Sequence, residues 1–138
     1  MERQTGQTRD VGFEIGVSRT VPHPLEEVWA FLTGAPGLAL WLGPGATPAW
    51  AKGTPYETAT GTTGEVRSFR PGDRLRVTWQ PDSWPHDSTV QIVVRPAANG
   101  TSIRFHQERL ADATEREIQR EHWRSVLDEI ETALLLAR

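Results

Sequence analysis

The stretch TSIRFHQERLADATEREIQREHWRSVLDEIETALLLAR, residues 101–138, changes its period partway along. Over 101–110 the side chains alternate. Ile103, Phe105 and Gln107 share one face, and Arg104, His106 and Glu108 share the other, the two-residue repeat of a half-buried strand. From Asp112 the repeat lengthens. Trp123, Val126, Leu127, Ile130, Ala133, Leu134 and Ala137 form one stripe at helical spacing. Thr114 with Glu117, or Asp112 with Glu115, supplies a capping box at its start. A helix over 112–136 is roughly 35 Å long, more than one small sheet face usually needs. A strand running into such a helix predicts a sheet whose apolar face the helix covers.

The strands for that sheet are legible upstream. FEIGVSRTV (13–21) alternates, with Phe13, Ile15, Val17 and Val21 on one side. RLRVTWQ (74–80) places Leu75, Val77 and Trp79 together, and STVQIVVR (88–95) does the same for Val90, Ile92 and Val94. TGEVRSF (63–69) reads as another strand and YETAT (56–60) as a weak one. Pro71-Gly72 and Asn99-Gly100 mark turns between them. Between the first strand and the rest, PHPLEEVWAFLT (22–33) has Leu25, Val28, Trp29 and Leu32 on one helical face, with Pro24 suited to its first turn. A second short helix over 37–42 must end at Gly43-Pro44. The expected architecture is α+β: a curved antiparallel sheet around a long C-terminal helix, with two short helices after the first strand.

The bulk composition narrows the function. The 138 residues suit one domain, read as 11–138 behind a flexible tail over 1–10. The chain has no cysteine, hence no disulfide framework, thiolate metal site or cysteine nucleophile. A net charge of −3 without a run of Lys or Arg weighs against nucleic acid or an anionic membrane as partner. No apolar run approaches a membrane span, and the polar start MERQTGQTRDVG lacks a signal-peptide centre, so the expected location is cytoplasmic. Six tryptophans against one tyrosine ask for large apolar surfaces. Two of them, Trp41 and Trp50, fall in APGLALWLGPGATPAW (35–50), which Gly and Pro break repeatedly.

These segments resemble a known family. VSRTVPHPLEEVWAFLT, LALWLGPGA, GEVRSFRPGDRLRVTW and the pair His122-Trp123, in that order, are similar to the START-like superfamily of polyketide cyclases and birch-pollen-type allergens. Within it they look most like the family named after the C-terminal domain of the activator of heat-shock-protein ATPase. The resemblance implies the helix-grip fold and a cavity between sheet and long helix. It places Trp41 at the mouth of that cavity or packed into it, and Trp50 further along the rim. This sequence departs from the family pattern at Leu42, where a second tryptophan is common, at Gln107, where a histidine is common, and at His122, where a glycine is common.

The candidate ligand-binding set is therefore Trp41, Val66, Val77, Trp79, Ile92, Phe105, Gln107 and Trp123, the inward positions of the strands plus two helix tryptophans. Most of these are required by packing alone. Gln107 is different, because an inward amide needs partners. Among the histidines, His23 before the first helix is expected to be exposed, His86 lies in a turn, and His106 faces outward. His122 beside Trp123 is the acid/base candidate, with Gln107 as a second catalytic candidate. Arg67, Arg74, Arg76, Arg95 and Arg104 interleave with Glu14, Glu57, Glu65 and Glu108 and read as a solvated, cross-paired outer face. No phosphate-binding loop, dinucleotide fingerprint, nucleophile elbow or zinc-protease motif is present, and no metal or cofactor is expected. The leading expectation is binding of a small hydrophobic or aromatic molecule, with a homodimer left open. The alternatives are a cyclase- or aromatase-type enzyme acting in the same cavity, and a chaperone-interacting protein.

Overall fold

The computed structural model describes residues 7–8 and 12–137. Elements run in the order β1 (Gln7–Thr8), β2 (Gly12–Val21), α1 (Leu25–Thr33), α2 (Ala35–Trp41), β3 (Pro55–Glu57), β4 (Thr63–Arg70), β5 (Arg74–Trp79), β6 (Ser88–Ala97), β7 (Gly100–Leu110) and α3 (Ala113–Leu136). The strands form one antiparallel sheet in the order β1-β2-β7-β6-β5-β4-β3, and α3 crosses its apolar face. This is the α+β helix-grip arrangement expected from the change of period after Leu110.

Most of the tail expected over 1–10 lies outside the described residues. Gln7–Thr8, however, pair with β2 opposite Phe13 and Gly12, so this part of the segment is a strand. YETAT also needs correcting. Only Pro55–Glu57 pair with β4, because Thr58 turns the chain: its N–H bonds the Thr62 carbonyl at 2.9 Å and its hydroxyl accepts from the Thr62 N–H at 3.0 Å. Pro24, expected at the first helical position, is the N-cap, so α1 starts one residue later at Leu25, and α2 begins at Ala35 with Pro36 in its first turn.

Alternation decides what faces the helix. Val66 pairs with Val77, Val77 with Val90, and Ile92 with Phe105, so the four inner strands present an apolar surface in register. α3 covers it with Trp123, Val126, Leu127, Ile130 and Leu134, all buried. The stripe extends further toward the N-terminus than apolar residues alone indicate. Gln119 and Arg116, four and seven residues before Trp123, are buried on the same face. Arg116 donates from Nε to the Glu14 carbonyl at 3.1 Å, and Arg19 reaches Asp128 and Glu131 at 2.9 and 2.8 Å. These ties fasten α3 along β2, whose outer edge β1 covers at Gly12 and Phe13.

Two local features fix the ends of α3 and β7. Asp112 accepts the Glu115 N–H at 2.8 Å while Glu115 accepts the Ala111 N–H at 2.9 Å, so Asp112 with Glu115 is the pair that caps the helix. Asp112→Ala is expected to cost about 1 kcal/mol, read as a lower urea midpoint. An unchanged midpoint would show that the cap contributes nothing. Near the end of β7 the register slips, with Phe13 opposite Leu110 but Ile15 opposite Gln107. The extra residue is a β-bulge, and Arg109 takes φ +66°, a conformation that a bulge makes useful and that side chains ordinarily avoid.

Gly37 explains how the two short helices fit. A Cβ there would run into the Phe31 carbonyl, so only glycine lets α2 close onto the end of α1.

Candidate functional site

The space between sheet and α3 is filled by rings. Trp123 stacks on Phe105 with centroids 4.9 Å apart and planes 16° apart, and it meets Trp79 at 5.4 Å. Trp41 approaches the same Phe105 edge-on at 6.4 Å. Val66, Val77 and Ile92 close the floor, all fully buried. The eight expected ligand-site residues are thus on the inner face or under it. Trp41 is buried, at 2% exposure, and its indole N–H bonds the Leu32 carbonyl at 2.8 Å. It packs between α1, α2 and the sheet. Trp50 lies with another group, stacked on Phe69 at 5.0 Å, with Trp29 on Phe69 at 5.6 Å.

Gln107 is the polar centre of this interior, with no exposed surface. Its Oε1 accepts from Trp123 Nε1 at 2.7 Å and from Gln119 Nε2 at 3.0 Å. Its Nε2 donates to Ser88 Oγ at 2.9 Å, and Ser88 in turn donates to the Trp79 carbonyl at 2.6 Å. Both acceptor positions of the carbonyl oxygen are used, so the amide keeps only one N–H to offer a ligand.

Aromatic rings run from one end of the interior to the surface. The segment 80–87 between β5 and β6 carries Trp84, a half-buried ring set edge-on to Trp79 at 5.5 Å. His86 stacks on Trp84 at 4.9 Å and reaches Glu115 at the start of α3, 2.9 Å away. On the helix side His122 lies 5.9 Å from Trp79 and 4.6 Å from Trp123. Trp84, Trp79, Trp123 and Phe105 therefore form a continuous run of rings from the surface to the centre. Trp84 and His86 were not among the expected site residues. The signal for Trp84 was available, since it is a large aromatic in a Pro-rich turn, as Trp41 and Trp50 are.

The histidines here titrate in opposite senses. Desolvation by the neighbouring rings of Trp79 and Trp123 lowers the pKa of His122, an exposed residue that packs on them from one side, with Glu129 opposing in part. For His86, burial would also lower the pKa, but the Asp87 carbonyl and the Glu115 carboxylate outweigh it and raise the value. The stability supplied by His86 is present below the unfolded value of 6.5 and lost as pH rises through the higher folded one. His122 resists protonation, so its folded site loses stability as pH falls from 6.5 through its lower folded value. His86→Gln should therefore lower the urea midpoint more at about pH 5.5 than at about pH 8.5, and His122→Gln should show a relative gain at the acid pH. Equal effects at both pH values would contradict these charge assignments.

His23 requires a correction. It was expected to be exposed but is 3% exposed. The chain turns at Pro22, the Thr101 hydroxyl of distant β7 bonds the His23 carbonyl at 2.8 Å, and the ring is held 3.3 Å from Glu27 one helical turn on. On the outer face a depression of about 430 Å³ is lined by charges. Its three guanidinium groups are each matched to a carboxylate: Arg67 to Glu65 at 2.6 Å, Arg76 to Glu108 at 3.1 Å, Arg109 to Asp87 at 2.7 Å. His106 lies 3.5 Å from both Glu14 and Glu108. This is the cross-paired face read from the strand pattern.

Comparisons with known proteins agree with the fold. The family model described as Activator of Hsp90 ATPase homolog 1-like protein matches residues 22–135. Among solved structures, protein MLL2253 from Mesorhizobium loti is 23% identical with a TM-score of 0.76, over 88% of this chain and 96% of that one. DynU16, a protein of the dynemicin biosynthetic locus, is 20% identical with a TM-score of 0.76. That likeness covers 91% of this chain but 48% of DynU16, so this chain spans about half of it. The Aha1 dimer from Colwellia psychrerythraea is 19% identical with a TM-score of 0.70, over 88% and 95% of the two chains. No curated protein matches the chain.

Proposed function

The chain belongs to the family of Activator of Hsp90 ATPase homolog 1-like proteins, and from that premise we propose that it binds a small hydrophobic or aromatic molecule between the sheet and α3. The observation that carries this reading is the run of rings from half-buried Trp84 through Trp79 to Trp123 and Phe105. A flat apolar ligand enters along that run by displacing segment 80–87, which His86–Glu115 and Asp87–Arg109 tie down from outside. Aromatic faces then hold it through offset-stacked contacts. Residues 11–138 act as a single binding domain in this reading, and it needs no metal or cofactor. No helix among the described residues is long and apolar enough to cross a membrane, and we place the protein in the cytoplasm. Self-association like that of the Aha1 dimer is a matter for light scattering.

Calorimetric titration with 2-naphthol tests the site. Trp79→Ala should weaken binding about tenfold or more, the loss of one aromatic contact in a desolvated site. Trp50→Ala, whose ring stacks on Phe69, should leave it unchanged. Equal losses in both variants would place binding elsewhere.

One observation favours a catalytic variant of this reading. His122 faces the same ring run, and its lowered pKa keeps the imidazole neutral and able to accept a proton. If the bound molecule is turned over, His122→Asn should abolish turnover while leaving binding intact.

A further inference from the structure

A second concave surface lies where α2 meets the C-terminal half of α3. Leu40 of α2 and Thr132, Ala133 and Leu136 of α3 line a groove of about 350 Å³, with Asp128 and Glu129 at its rim. It reaches the lower end of the size range of small-molecule sites. The adjoining surface is unusually apolar. Leu135 and Leu136 are 66% and 78% exposed, two of the three large exposed hydrophobic residues among the described residues.

Among the described residues, carboxylates outnumber cations around the groove. Asp128 shares the single guanidinium of Arg19 with Glu131, two carboxylates on one cation. Glu129 makes no salt bridge among the described residues. Among the described residues the last turn of α3 carries no basic side chain, and the negative end of the helix dipole lies there. An apolar trough with two exposed carboxylates and a helix C-terminus is complementary to an aliphatic chain that ends in a cation.

We propose that this groove binds single-chain cationic amphiphiles of the alkylamine or alkylammonium class, the chain lying over Leu40, Ala133 and Leu136 and the cation facing Asp128 and Glu129. The site is separate from the proposed ring-run site, and Trp79→Ala leaves it intact.

The test is a titration with dodecyltrimethylammonium below its micelle-forming concentration, followed by methyl NMR signals of Leu40, Ala133 and Leu136. Dodecanoate and dodecyl maltoside carry the same chain with an anionic and a neutral head. Saturable shifts at these methyls are expected, with the cation binding about tenfold tighter than dodecanoate, the order for one charge meeting two exposed carboxylates and a helix end. Ala133→Leu fills the groove with a good helix former and should abolish the shifts while the melting curve persists. Glu129→Lys should reverse the preference between cation and anion. Equal binding of dodecanoate would overturn the proposal, as would full affinity in Ala133→Leu. So would shifts that arise only with micelles, or shifts on protein dilution alone, which would mark the groove as a contact between copies of the chain.

Discussion

Trp123→Ala is expected to lower stability by about 3–5 kcal/mol, the range for deleting a large aromatic from a core that collapses only in part. Trp123 has no exposed surface, stacks on Phe105 and touches Trp79, so its removal leaves a void bounded by two rings that strands hold in place. It also takes one of two donors from Gln107 Oε1. Against a total of about 5–15 kcal/mol for a native protein, this is the single substitution expected to approach unfolding. Urea denaturation checks it. A midpoint near that of the wild type would show that the helix is not held through this ring.

Gln107→Leu is the second large effect, about 2–4 kcal/mol. It conserves size but removes the acceptor that serves Trp123 and Gln119 and the donor that serves Ser88. Each buried group left without a partner costs about 1–3 kcal/mol, partly offset by the apolar side chain gained. Because Gln107 and Trp123 bond directly, their effects should not add: the double variant should cost less than the sum of the singles. Strict additivity would mean that the bond at 2.7 Å contributes nothing. The urea midpoint of Gln107→Leu itself distinguishes a structural amide from one reserved for a ligand, since a reserved amide would lose little when replaced.

The architecture was legible because its signals are periodic. Alternation placed Val77, Ile92 and Phe105 on the inner face, and the lengthened repeat placed Trp123, Leu127 and Ile130 on the covering helix. Periodicity reports a face, however, and not what lies across from it. Arg116 and Gln119 fall on the buried side by spacing, yet their polarity concealed them until Glu14 and Gln107 appeared as partners from 102 and 12 residues away. His23 was hidden for the same reason, since β7, far along the chain, encloses it. Residues 80–87 have no period at all, so alternation could not assign Trp84 to a face. Trp84 joins the site through contact with Trp79 and through His86–Glu115, a pair 29 residues apart. β1 is too short to carry any pattern.

The account centres on one claim, that an aromatic ligand enters along Trp84, Trp79 and Trp123. The six tryptophans each give an indole N–H signal, and two of them lie away from that run: Trp29 and Trp50 flank Phe69. The most direct measurement is a nitrogen–proton NMR titration of the uniformly labelled protein with 2-naphthol, observing the indole region. The account predicts saturable shifts at Trp84, Trp79 and Trp123, with Trp29 and Trp50 unmoved. Shifts confined to Trp29 and Trp50, or none at saturating probe, would contradict it.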